Sequence, residues 1–475
     1  MGVDSALQAP IEDEFLKVET AGIEPIPPSE RYTKPWELGT MWAGAFLNYA
    51  SLLTGSLLVV FGLGILDSLT AIVVGALLAA IVLGLVSVSG PRGGVPQIVF
   101  SRLIFGYRGA YLAGALTLFL AVGWFAVDCV IATNALTQVF EEFGASGKQP
   151  LPALILLLVV VVSIVVAIYG HKTLVIFERY GAAVFLAFSV LLLAVLWPKI
   201  HWGLGPSVHG TAHLGAWILG ASVTFALVAS WFSFAADYSR YVPERTSAGS
   251  VASWVAAGSA IPTIALGTLG VLFLSINAKS GDLLGTIIHN IPLPLAVAFL
   301  LFVALGMIWA NYMDVYTAGL VALALGAALQ RWQTALLAGV IGGLLASYAL
   351  FVGSFLSAYT NFLLVTYIWA PAWASVLLLD LFVFRPRAYQ PGTFFRQTGV
   401  HWPALVALIA GTVAAIPFVN STLWQSPLAV HILHGADLSG FVSFIVGGLV
   451  FVALRFAHPE APERDTIERN PQGKV

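Results

Sequence analysis

Long apolar stretches, broken by Pro, Gly or charge, recur along the whole chain at 40–63, 68–90, 109–136, 151–169, 176–196, 215–237, 250–275, 295–327, 333–353, 358–384, 402–419 and 435–454. A helix needs about 20 mostly apolar residues to cross a bilayer, so the pattern predicts twelve transmembrane helices. Unbroken runs such as Leu151 to Ile168 argue against a β-barrel, whose strands alternate apolar and polar positions. Backbone groups in lipid must be satisfied within the segment, which also favours the helix. The predicted fold class is therefore an all-α polytopic membrane protein.

Two of these segments depart from a uniform apolar helix. The first carries Gly39, Gly44, Asn48, Ser51, Thr54 and Gly55, and the sixth carries Gly220, Ser222, Thr224, Ser230 and Ser233. Close helix packing explains any one small residue taken alone. Matched interruptions at corresponding places of two halves point instead to inverted repeats, where unwound backbone binds solute near the midplane.

Composition agrees with a lipid solvent: 59% of residues are hydrophobic and 9% charged, and the mean hydropathy is +0.92. An even helix count puts both termini on one side. With the termini inside, the internal loops hold eleven Lys or Arg, from Arg92 to Arg396, against Lys148, Lys199 and Lys279 on the other side. The positive-inside bias then predicts cytoplasmic termini in a cell inner membrane. Residues 1–36 and 456–475 read as cytoplasmic tails flanking a transporter domain over 37–455. The first tail lacks the basic start and short apolar core of a signal peptide. A net charge of −2 provides no basic field for nucleic acid. The one cysteine, Cys129, excludes a disulfide framework and a Cys-based metal site. Nothing in the chain sets an oligomeric state.

An ionisable group deep in a membrane helix costs about 2.5–3.5 kcal/mol on insertion scales, which makes it a functional candidate. Asp128, in GWFAVDCV of the third helix, and Asp314, in WANYMDVYTAG of the eighth, stand out. Residues four apart share a helix face, so Trp124 and Asp128 pair an aromatic plate with a hydrogen-bonding carboxylate. That suits a small planar heterocyclic solute. Asn311 and Asp314 extend the polar face of the eighth helix, and Trp231 with Ser230 offers a second plate on the sixth. Each aspartate has a plainer reading, in which it only packs helices. Asp237 and Arg240, in ADYSRYVP, read as a local pair and a gate. Glu178 is expected in the first turn of the fifth helix, where the helix dipole favours an acid; a gate or proton relay is the other reading. Asp380, near Arg385 and Arg387, reads as structural. No GxxxxGK[ST], HExxH or GxSxG sequence occurs, so neither ATP use nor hydrolysis is supported and no cofactor or metal is implied.

Three stretches together resemble the nucleobase cation symporter family 1, in its purine-cytosine permease branch. They are GPRGGVPQIVFSRLIFGYRGA between helices two and three, ADYSRYVP after the sixth, and NFLLVTYIWAPAWASVLLLD in the tenth. The resemblance implies a LeuT-type core of two inverted five-helix repeats, about 37–198 and 212–385, with two peripheral helices at about 400–455. It also implies that Trp124 and Trp231 stack on the base, while Asp128 and Asp314 meet its edges at positions where relatives often carry amides. Asn48, in the broken first helix, joins the expected site. Where sodium-coupled members have paired hydroxyls on the eighth helix, this chain has Gly306, Trp309 and Ala310. Coupling is therefore expected to use a proton, with Asp128, Asp314 and Glu178 as candidate carriers and sodium less favoured.

The resulting expectation is a proton-coupled importer of a nucleobase such as cytosine or a purine. Hydantoin, allantoin, uracil, thiamine and pyridoxine-like solutes stay open within the same fold. A passive channel, the reading from a different class, needs a continuous polar stripe that the isolated polar positions do not supply.

Overall fold

The computed structural model describes residues 22–167, 171–327, 329–385, 393–396 and 399–458. In chain order its helices are α1 (Pro35–Phe46), α2 (Tyr49–Val60), α3 (Ile65–Val86), α4 (Ser89–Gly93), α5 (Gln97–Phe105), α6 (Ala110–Glu142), α7 (Leu151–Ala167), α8 (His171–Leu196), α9 (Gly210–Ala229), α10 (Ala235–Ser239), α11 (Ala248–Ser275), α12 (Leu283–Ile288), α13 (Leu293–Ala324), α14 (Arg331–Phe351), α15 (Phe355–Leu379), α16 (Thr393–Arg396), α17 (Trp402–Ala415) and α18 (Ser439–Ala457). Among the described residues, eight helical stretches are long and apolar enough to cross a membrane, and α1 with α2 forms a ninth, bent by 56°. Shorter apolar helices at Leu151–Val165, Ala183–Lys199 and Trp402–Phe418 fill the other three predicted places. Exposed Leu154, Leu157, Leu158, Val161 and Val165 form one stripe on α7, an apolar face turned to lipid.

The predicted break in the first span is real, and its residues show why it is stable. A helix end leaves backbone groups without partners. Asn48 serves both sides of the break: its Nδ2 donates to the Ala45 carbonyl at 2.8 Å, and its Oδ1 accepts from the Ser51 amide at 3.2 Å. Ser51 adds a hydroxyl bond to the Phe46 carbonyl at 2.7 Å. The sixth span differs from the first. After α9 it tightens into a short 3-10 turn at Phe232–Phe234 and resumes as α10, without a sharp bend. No side chain there caps a new helix start, and buried Trp231, Phe232 and Phe234 hold the turn in line.

Small residues set the helix spacing around this core. A Cβ on Gly55 would run into the Gly267 carbonyl, so α2 and α11 cross at backbone contact, a close approach that glycine permits. Two boundaries move from their predicted places. α6 stays helical through Glu142, past the end of its apolar run. α18 starts at Ser439, whose amide and hydroxyl donate to Asp437 just before the helix, at 2.9 and 2.6 Å.

Candidate solute site

The centre of the molecule is the seam where α6 packs along α13. Asp128 and Asp314 are both buried there, one on each of its two helices. One Asp314 oxygen, the Asn311 carbonyl oxygen and the Trp124 indole N–H have no hydrogen-bond partner among the described residues. An unsatisfied buried polar group costs about 1–3 kcal/mol. Three in one seam mark a place with capacity for hydrogen bonds that the protein itself does not use.

Trp124 sits at the edge of this seam, held edge-on by Phe362 at 5.4 Å and by Tyr359 at 6.1 Å. Tyr359 is in turn fixed by its hydroxyl, 2.8 Å from Thr54 Oγ1 and 3.2 Å from the Ala50 carbonyl. Trp231, at the interruption of the sixth span, stands edge-on to Trp42 at 5.7 Å and Phe234 at 5.5 Å. It lines a cavity of about 280 Å³ together with Asn48, Phe185, Phe302, Trp309 and Met313. The two tryptophans therefore do not face one space: Trp231 and Asn48 are on the cavity wall, whereas Trp124, Asp128, Asn311 and Asp314 lie behind it in the seam.

Two expected site residues already spend donors on bonds within the protein. Asn311 turns towards α7, donating to Ser163 Oγ at 3.0 Å and to Cys129 Sγ at 3.3 Å, so it ties three helices together. Ser230 returns its hydroxyl to the Leu227 carbonyl at 2.7 Å and ends α9. The Glu178 side chain lies outside the described residues. Its helix begins at His171, so Glu178 falls beyond the first turn, contrary to the sequence reading.

The expected Asp237–Arg240 pair is part of a wider clamp. Asp237 accepts from the Gln97 amide at 2.8 Å and from the Thr317 hydroxyl at 2.9 Å. The Gln97 side chain answers by accepting from the Ala236 amide at 3.0 Å and the Ser89 hydroxyl at 3.1 Å. Arg240 donates to Tyr316 and Tyr241, each at 3.1 Å, and to the Gly22 carbonyl at 3.0 Å. The N-terminal segment joins in: Arg31 reaches the Pro91 carbonyl at 3.0 Å, and the Thr33 amide the Tyr241 carbonyl at 3.0 Å. Burial pushes the Arg31 guanidinium down, with Glu244 opposing the shift. α5, α10, α13 and the N-terminal segment thus close one end of the molecule. Asp380, read as structural, makes an ion pair with Arg385 at 2.8 Å. Sequence reading missed Gln97, Thr317, Tyr359, Phe185 and Phe302; a polar or aromatic residue inside an apolar helix was the signal for each, but only packing singles them out.

The profile of the family of permeases for cytosine/purines, uracil, thiamine and allantoin matches residues 25–447. The chain belongs to this permease family. Similar to the permease is the putative purine-cytosine permease YxlA of Bacillus subtilis, 27% identical over 458 residues that cover 92% of this chain and 96% of that one. The purine-cytosine permease fcyB of Emericella nidulans is 24% identical over 469 residues, covering 93% and 89%. Among solved structures, Mhp1, described as a nucleobase-cation-symport-1 family transporter, in a closed conformation with bromovinylhydantoin bound, superposes with a TM-score of 0.76 at 16% identity. That match covers 94% of the permease and 98% of Mhp1. The likeness shows that the permease has the LeuT-type fold expected from the resemblance, and that it is a multi-pass membrane protein.

Proposed function

We propose that the permease imports a nucleobase, cytosine or a purine, by alternating access around a midplane site, with a proton as coupling ion. The observation that carries this reading is the burial of Asp128 and Asp314 on the two helices that form one seam. A single proton held between two such carboxyls removes their mutual repulsion. Its arrival and departure changes the charge of the seam, and with it the cost of keeping α6 against α13. A protonated carboxyl also has both a donor and an acceptor, which complements the edge of a base, while Trp124 offers a ring face in the same seam and Trp231 offers one on the cavity wall. Gly306, Trp309 and Ala310 on α13 have no side-chain oxygen for a hard cation such as sodium, which prefers oxygen ligands. The Lys and Arg excess of the loops favours cytoplasmic termini in a cell inner membrane.

Two measurements test this reading. In proteoliposomes, accumulation of labelled cytosine or hypoxanthine is expected to follow an imposed proton gradient; uptake that tracked sodium alone would overturn the coupling. In a thermal-shift panel a bound ligand raises the melting temperature. Stabilisation by uracil, thiamine or allantoin with no response to cytosine or purines would replace the substrate.

A further inference from the structure

A second cavity, about 360 Å³ in volume, lies beyond the seam and shares no lining residue with the first. α6 begins beside α5, at the clamped end, so the far part of α6 lies towards the opposite face. With a rise of about 1.5 Å per residue, Asn134 and Gln138 are roughly 9 and 15 Å further along it than Asp128. Both line this cavity, as does Thr137. Asn134 and Gln138 are four apart and share a helix face, and neither carboxamide has a hydrogen-bond partner among the described residues. The Thr137 hydroxyl is buried and likewise without a partner. Across the space, half-buried Phe355 stacks on Tyr359, with centroids 6.1 Å apart and planes at 24°. Tyr359 is the ring that also touches Trp124. Asp282, at the rim, caps α12 through the Gly285 amide at 3.0 Å and keeps the rim acidic.

We infer that this outer cavity is a separate docking site, where the solute is held before it reaches the seam. This rests on the transport reading above. The site's chemistry selects a flat, neutral or cationic heterocycle bearing both donors and acceptors. Two carboxamides each present donors and an acceptor to the edge of the ring, Phe355 takes its face, and Asp282 repels anions. Neither Asp128 nor Asp314 lines this cavity, whose wall includes Leu53 and Ile131, and Tyr359 links it to the seam through Phe355 on one side and Trp124 on the other.

The test uses the full chain in proteoliposomes with labelled cytosine, adenine and hypoxanthine. Removing one hydrogen bond to the solute weakens binding by about three- to tenfold, so Asn134→Ala and Gln138→Ala are each expected to raise the half-saturating concentration by that factor, with a smaller effect on the maximal rate. As a second readout, Gln138→Cys is labelled with a bulky maleimide; native Cys129 is buried and stays silent. The transported base should slow this labelling, and should still slow it when Asp128→Asn and Trp124→Ala disable the seam. Uptake by unlabelled Gln138→Cys shows that the variant is folded. Protection that vanishes with the seam substitutions, or unchanged half-saturation and labelling in a protein that transports normally, overturns the outer site and leaves the transport reading standing. No uptake of any of the three bases by the unaltered protein sinks both.

Discussion

Replacing Asp237 with alanine isolates the energetic role of the clamp. Its carboxylate is buried and accepts two hydrogen bonds, from the Gln97 amide at 2.8 Å and the Thr317 hydroxyl at 2.9 Å. Gln97 is the first residue of α5, so its amide has no partner inside the helix and depends on Asp237. Thr317 has a fallback in the Tyr238 hydroxyl at 3.3 Å. The main loss is therefore one charge-assisted bond together with a stranded buried donor, about 2–4 kcal/mol. If that energy holds one end of the permease shut, Asp237→Ala raises the population of the opened end by roughly 30- to 700-fold, at 1.4 kcal/mol per factor of ten. Native-state hydrogen exchange reads this directly. Peptides over 94–102 and 233–241 should exchange faster by at least about an order of magnitude, while peptides from the peripheral pair α17 and α18 stay unchanged. A uniform rise across all peptides would show that the residue only supports global stability, and no rise at all would refute the clamp.

Two further predictions concern the seam and the helix crossing. Asp314→Asn preserves shape but cannot exchange a proton, so proton-driven accumulation should fall to equilibration while exchange of labelled for unlabelled base persists; concentrative uptake by this variant would falsify its role as carrier. Gly55→Val places side-chain atoms against the Gly267 carbonyl, and overpacking of this kind costs about 1–3 kcal/mol or more. The purified variant should melt several degrees below the unaltered chain, and an unchanged melting temperature would show that α2 and α11 can move apart.

Hydrophobic patterning made the twelve helical places legible, because lipid leaves few alternatives to a satisfied helix. The break at Asn48 was legible too, since a polar side chain among glycines and serines has to find backbone partners. What patterning cannot carry is side-chain direction across a helix interface. Asn311 and Asp314 are three apart on α13, yet Asn311 spends its amide on Ser163 of α7 and Cys129 of α6, whereas one Asp314 oxygen has no partner among the described residues. Asp237 and Arg240 are near in sequence, yet their bonds go to α5, α13 and the N-terminal segment, contacts that no local spacing encodes. The outer cavity was invisible for the same reason: Asn134, Asp282 and Phe355 come from three distant parts of the chain.

The double use of Asn48 also bears on how the first span can deform. Its amide holds the end of α1 with one hand and the start of α2 with the other. Straightening the span would put both bonds at risk, one on each side of the break. The joint couples the two half-helices through one side chain, so a displacement at the end of α1 is passed on to the start of α2.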